Sequence, residues 1–138
     1  MVPAQNSTID SLLASLKKPA PDTLRANAYN MLAMEFRNSD PDTSGYFAKQ
    51  ALALSEKINY KMGMAAGWLW LGTSVTNLGK YTEALGLLKK ASDLLSKTIL
   101  VQDPQKKDGK LILARCYNNT GNIYDNQGNY PEALNNHF

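Results

Sequence analysis

Histidine and cysteine are almost missing from this chain of 138 residues: each occurs once, as His137 and Cys116. A single cysteine excludes an internal disulfide and any cysteine-built zinc site. Cys116 follows Ile112 and Leu113 at helical spacing, so it is expected to be a buried, inert thiol and not a nucleophile. The 12 Asp and Glu residues form no spaced cluster of the kind that a cation or a pair of catalytic carboxylates requires. The stretch from Asp103 to Asp108 lacks the oxygen-ligand rhythm of a calcium loop. Gly63, Gly67, Gly72 and Gly79 do not spell a phosphate loop, because G-x-x-x-x-G-K-[ST] occurs nowhere. No apolar run approaches the roughly 18 residues of a membrane span. The net charge is +3 and the pI about 8.9, but the lysines are scattered as Lys17-Lys18, Lys89-Lys90 and Lys106-Lys107. No basic stripe interleaved with aromatics emerges, which argues against a nucleic-acid partner. The expectation is a chain with no catalytic residue, no cofactor and no metal.

What the chain does have is apolar residues at 43% and charged residues at 20%, the balance of a folded domain long enough to bury a core. The densest pattern runs from Trp68 to Ala91. Trp68, Leu71, Gly72 and Val75 fall at i, i+3, i+4 and i+7, one face of a helix. Gly79-Lys80-Tyr81 interrupts, and Ala84, Leu88 and Ala91 resume on a second helix. Small residues stand where two backbones must approach, and large ones where the gaps need filling. Tyr29, Leu32, Ala33 and Phe36 repeat the spacing earlier in the chain. Tyr117, Gly121 and Tyr124 repeat it later, followed by Gly128-Asn129-Tyr130 and Ala133.

This arrangement resembles the tetratricopeptide motif W-x2-L-G-x2-Y…A-x3-F, with Val75 for the usual Tyr and Leu88 for the usual Phe. In the last copy Thr120 replaces the usual Leu, and His137 takes the place of Leu88, a packing position. The resemblance implies an all-α superhelix of antiparallel hairpins wound in a right-handed sense. Residues 1–21 are read as a tail and an N-terminal capping helix. Residues 22–138 are read as about two and a half repeats, 22–59, 60–105 and 106–138, the last of them cut short. The intervals from Ala33 to Gly72 and from Gly72 to Gly121 are 39 and 49 residues, longer than the common period of about 34. The helices are therefore expected to be lengthened, most of all beside Asp103-Pro104. The halt at Phe138, partway along a helix, leads us to expect an N-terminal fragment of a longer protein.

Local signals place the boundaries. Ser7 and Asp10 form a capping-box pattern that starts the first helix, and Pro19 and Pro21 end it. Asp22 is the expected N-cap of the second helix, running to about Asn38, and Asp42 that of the third, running to about Ile58. Ser44 and Gly45 stand where Ala84 and Leu85 lie in the second hairpin, so the first repeat is expected to be looser there. The second helix of the middle hairpin is expected to continue to about Val101. A new helix is expected to begin near Lys106 to Lys110. Asn6 and Asn118 open glycosylation sequons, the second of them in mid-helix.

In such a stack the first helix of each hairpin lines a concave surface. On the third copy Arg115, Asn118, Asn122, Asp125 and Asn126 share one stripe. The same register gives Asn27, Asn30, Met34 and Arg37 on the first copy, and Leu69, Trp70, Thr73, Thr76 and Asn77 on the second. Asparagine both donates and accepts, so this face is suited to hydrogen-bond an extended peptide. The paired lysines of carboxylate-clamping tetratricopeptide proteins are absent, their places on the third copy being held by Arg115 and Asn119. Residues 22–58 are also similar to the N-terminal repeats of bacterial sensor histidine kinases. That similarity implies a sensory or scaffolding input region of a two-component signalling protein, on the periplasmic or exported side of a membrane. The start MVPAQNST reads equally as the beginning of a chain freed from an export signal or as an ordinary terminus, and a cytoplasmic location is the alternative. The expected partner is a protein or peptide. A self-assembly scaffold, homo-oligomeric through its exposed terminal repeat, is the alternative function.

Overall fold

The computed structural model describes residues 4–99 and 106–128, and among these every regular element is a helix. The elements are α1 (Ala4–Leu16), α2 (Asp22–Phe36), α3 (Pro41–Lys57), α4 (Lys61–Asn77), α5 (Tyr81–Ile99) and α6 (Lys106–Asn126). Links of three or four residues join α2 to α3, α3 to α4 and α4 to α5, and so short a link forces antiparallel neighbours. Each helix packs on the next, α1 lies on α2, and alternate helices α2, α4 and α6 also touch. The result is an all-α helical repeat superhelix with α2, α4 and α6 along one side. Helices of 15 to 21 residues from α2 onward accommodate the long repeat intervals.

The turns are fixed by backbone chemistry. At the end of α4, Gly79 adopts φ 81°, a left-handed conformation that costs glycine little. The Gly79 N–H donates to Thr76 and the Lys80 N–H to Val75, each at 2.9 Å, satisfying carbonyls that the helix end leaves orphaned. Asn59 closes α3 the same way with φ 54°, its N–H donating to Glu56 and that of Tyr60 to Ser55.

Helix starts depart from the expected caps. α1 begins at Ala4, so Ser7 lies inside the helix. Pro21 caps α2 without a side-chain bond, leaving Asp22 in the first turn. Asp40, not Asp42, caps α3: its carboxylate accepts from the Thr43 N–H at 3.2 Å and from the Thr43 hydroxyl at 2.7 Å. Pro41 explains the shift, since proline at the first helical position fixes φ and has no N–H to satisfy. α2 ends at Phe36 and α3 at Lys57, short of Asn38 and Ile58.

α4 is the central element, in contact with α2, α3, α5 and α6. Its buried residues include Leu69, Trp70, Leu71 and Val75 together with three glycines. A Cβ at Gly72 would stand 3.1 Å from Leu88 and 3.5 Å from the Ala84 carbonyl, and one at Gly67 would stand 3.2 Å from Leu52. The two notches let α5 and α3 approach α4 from two sides. Leu69, Leu88, Leu95 and Ile123 are sealed from water, each such side chain stabilising the fold by about 1.5–3 kcal/mol. Cys116 joins this core.

The first hairpin is tight where a looser fit was expected. Ser44 is fully buried, and its hydroxyl donates to the Ala33 carbonyl at 2.6 Å. A Cβ at Gly45 would meet the Ser74 hydroxyl at 2.9 Å, and that hydroxyl donates to the Pro41 carbonyl. Small size at Ser44 and Gly45 draws α2 and α4 closer to α3 instead of leaving a gap. The aromatic rings gather beside it: Phe47 stacks on Tyr29 and Phe36, with centroids 6.3 and 5.9 Å away, and meets Tyr46 edge-on at 5.3 Å.

α1 packs its Ile9, Leu12 and Leu16 face only partly, and Leu13 remains exposed. The Arg25 guanidinium donates to the Leu16 carbonyl at 3.0 Å, holding the end of α1 on α2. No helix among the described residues is long and apolar enough to cross a membrane.

Candidate binding groove

Three helix ends frame a cavity of about 460 Å³. Arg37 and Asn38 contribute from the end of α2, Thr73, Thr76 and Asn77 from the last turns of α4, and Asn119, Asn122, Asp125 and Asn126 from α6. Every lining side chain is polar. The helices converge here because α4 touches both α2 and α6, while threonines in place of longer side chains leave room over the α4 surface.

Hydrogen bonds hold the walls. The Asn119 amide donates to the Thr73 hydroxyl at 2.9 Å, bridging α6 and α4. The Thr73 hydroxyl in turn donates to the Leu69 carbonyl at 2.8 Å. The Asn77 amide donates to the Arg37 carbonyl at 2.6 Å, bridging α4 and the end of α2. The Thr76 hydroxyl is turned back to the Gly72 carbonyl at 2.7 Å. Asn38, Asn122 and Asn126 make no side-chain hydrogen bond among the described residues. Their amides are available to a ligand, each offering two donors and a two-lone-pair acceptor.

Below the cavity, Trp70 is 8% exposed, with Arg37 Cζ 5.9 Å and Arg115 Cζ 5.7 Å from its ring centroid. Arg37 also donates from Nη1 to the Met34 carbonyl at 2.7 Å.

The structure divides the residues expected on the concave face. Arg37, Thr73, Asn77, Asn122, Asp125 and Asn126 line the cavity, and Trp70 and Arg115 adjoin it through the Arg37 contact. Four others are taken up in the packing between helices. Leu69 is fully buried and Asn30 is 6% exposed, the Asn30 amide donating to the Gly63 carbonyl at 3.2 Å. Asn27 accepts from the Tyr60 hydroxyl at 2.9 Å, and Met34 packs half-buried on the core. Leu69 and Asn30 are thus corrected from groove to contact residues, because Leu69 belongs to the buried core and the Asn30 amide is spent on the Gly63 carbonyl of α4. Asn118 is exposed on α6, outside the cavity wall. Asn38 and Asn119 line the cavity without having been expected to. For Asn119 a signal existed, since Asn119, Asn122 and Asn126 fall at i, i+3 and i+7.

Cys116 is 1% exposed, and burial pushes its thiol up to about 12, which leaves no reactive thiolate near neutral pH. His137 and Ala133 lie outside the described residues. No group of three or more metal-ligating side chains occurs among the described residues.

A family model described as tetratricopeptide repeat matches residues 113–137. The chain carries a tetratricopeptide-type repeat. The match takes in α6 from Leu113 onward, which supplies Arg115 and the amide wall, and the spacing of Tyr117, Gly121 and Tyr124 lies within it. No curated protein and no solved structure matches the chain.

Proposed function

We propose that this chain is a protein-interaction module whose tetratricopeptide-type groove takes an extended peptide segment of its partner. The observation that carries the reading is the all-polar cavity across α2, α4 and α6, with the amides of Asn38, Asn122 and Asn126 without a partner among the described residues. Extended backbone needs donors and acceptors alternately, and carboxamides supply both without demanding a charge. The test is selection of displayed random dodecapeptides on the immobilised protein, with affinities measured by fluorescence anisotropy. Asn122→Ala with Asn126→Ala removes two exposed amides without touching the core. Loss of about tenfold or more in affinity is expected, from roughly 0.5–1.5 kcal/mol per hydrogen bond. Selected peptides that bind this variant as well as the parent would refute the groove.

At a finer level, we propose an input region of a signalling protein on the exported side of a membrane, a reading that rests on the residue pattern of 22–58 alone. The complete reading frame tests it: a frame with neither an export signal nor a membrane span and signalling domain would end this version. Self-assembly through the terminal repeat involves residues outside the described ones, and light scattering of the protein over a concentration series tests it, a constant monomer mass excluding it.

A further inference from the structure

The groove uses its asparagines in two ways. Asn77 and Asn119 fasten the walls, their amides donating to the Arg37 carbonyl at 2.6 Å and to the Thr73 hydroxyl at 2.9 Å. Asn38, Asn122 and Asn126 line the same cavity with no side-chain hydrogen bond among the described residues. Asn38 directly follows the bonded Arg37, and Asn122 and Asn126 lie three and seven residues beyond Asn119, on one face of α6. The open carboxamides are therefore carried on walls already held in place, which lowers the ordering cost of binding.

Few side chains complement a carboxamide, which presents donors and an acceptor in one plane. A carboxylate offers acceptors only and leaves the wall oxygen facing another lone pair. An ammonium offers donors only and leaves the wall NH2 unanswered. A hydroxyl donates and accepts through a single atom, so it cannot meet both wall atoms side by side. An apolar side chain strips water from the amides and returns no hydrogen bond, which is costly. Charge does not decide the choice, because Arg37 and Asp125 both line the cavity, and a charged side chain of either sign meets a like charge as well as an opposite one. A second carboxamide answers both atoms at once, its NH2 donating to the wall oxygen and its oxygen accepting from the wall NH2. Spacing adds a further constraint. Asn122 and Asn126 are four residues apart on α6, about 6 Å along the axis, and same-side residues of an extended chain are about 6.6 Å apart.

We infer that Asn122 and Asn126 take two carboxamide side chains of the partner, so that the bound segment reads Asn or Gln, any residue, Asn or Gln. This rests on the groove reading above and adds the identity of two partner side chains to it. Asn38, on the α2 side of the cavity, remains for the backbone of the segment.

The experiment uses fluorescein-labelled dodecapeptides from the selection, which are expected to be enriched in two Asn or Gln residues separated by one. Each is compared with three copies: Asn and Gln changed to Asp and Glu, the same residues changed to Leu, and one extra residue inserted between the pair. The proteins are the parent and Asn122→Ala/Asn126→Ala, the variant first checked for an unchanged thermal melt. All three copies are expected to bind the parent at least about tenfold more weakly than the selected peptide, the size of the two or more hydrogen bonds lost. The difference between the selected peptide and its Leu copy should persist as salt is raised, because no ion pair is involved. The penalties should vanish in the Ala variant. Selected peptides without that enrichment, equal binding of the Asp and Glu copy or the Leu copy, or discrimination that survives in the Ala variant would overturn the inference. The groove would still stand if the Ala variant weakened the selected peptides while their Asn and Gln residues could be replaced freely. A selection that yields no binders would overturn both readings.

Discussion

Moving volume across the α4–α5 contact tests the packing at its narrowest point. Gly72 has no side chain because Leu88 fills the space, with a Cβ at Gly72 falling 3.1 Å from both Leu88 Cγ and Cδ2. Gly72→Leu must push four carbons into that contact. Overpacking of a filled core costs about 1–3 kcal/mol or more, against which the better helix propensity of leucine returns roughly 0.8 kcal/mol. Leu88→Ala, at a site 1% exposed, costs about 2–5 kcal/mol through lost burial and the cavity left behind. In the double variant the new leucine at 72 enters the space vacated at 88. The two effects should then fall short of their sum by at least about 1 kcal/mol, the coupling expected of residues in contact. The assay is urea denaturation of the parent, both singles and the double, followed by circular dichroism at 222 nm. Additivity within about 0.5 kcal/mol would mean the two positions do not share space, and the nested-hairpin account would fall.

Ser55 gives a second test, since its buried hydroxyl has no hydrogen-bond partner among the described residues. Removing an unpaired buried polar atom relieves its desolvation cost, so Ser55→Ala should leave stability unchanged or raise it by about 1 kcal/mol in urea melts. Cys116 should resist a thiol-specific chromogenic disulfide at pH 8 in the folded protein and react at once in denaturant. Because its folded thiol sits near 12 against an ordinary 9, the unfolded chain loses that proton first. Its contribution to stability is therefore complete below pH 9 and declines from pH 9 to 12, a decline that Cys116→Ala should lack. Hydrogen bonds from Thr43 hold the Asp40 carboxyl below its ordinary 3.8. Its contribution should be present above pH 4 and lost as pH falls further, which Asp40→Asn would abolish in acid titrations.

Much of the fold could be read from side-chain size. Gly72, Ala84 and Leu88 announce a hairpin because the two small residues admit a close helix approach and Leu88 fills the space beside it. The Asp40 cap was legible from Pro41, since proline favours the first helical position and so puts the cap one residue before it. Ser44 and Gly45 were misread because they depart from the Ala84-Leu85 pattern, whereas here their small size admits neighbours on both sides. The groove was harder to read than the fold. Asn30 is polar, and it is buried because its amide answers the Gly63 carbonyl across a helix seam. Which part of a polar stripe stays open depends on how closely α2 and α4 approach along their length, and that distance is not encoded in the stripe. Asn122 and Asn126 were legible because they lie where the helices frame the cavity.

The central place of α4 has a bearing on how the molecule comes apart. A linear stack usually lets one end melt while the other persists. Here a single rod, with no charge after Lys61 to solvate it alone, is the common wall of two hairpins and of α6. Peeling away either side would strand its leucines and Trp70 in water. Hydrogen exchange should accordingly find α3, α4 and α5 opening together as one unit, with α1 released far earlier.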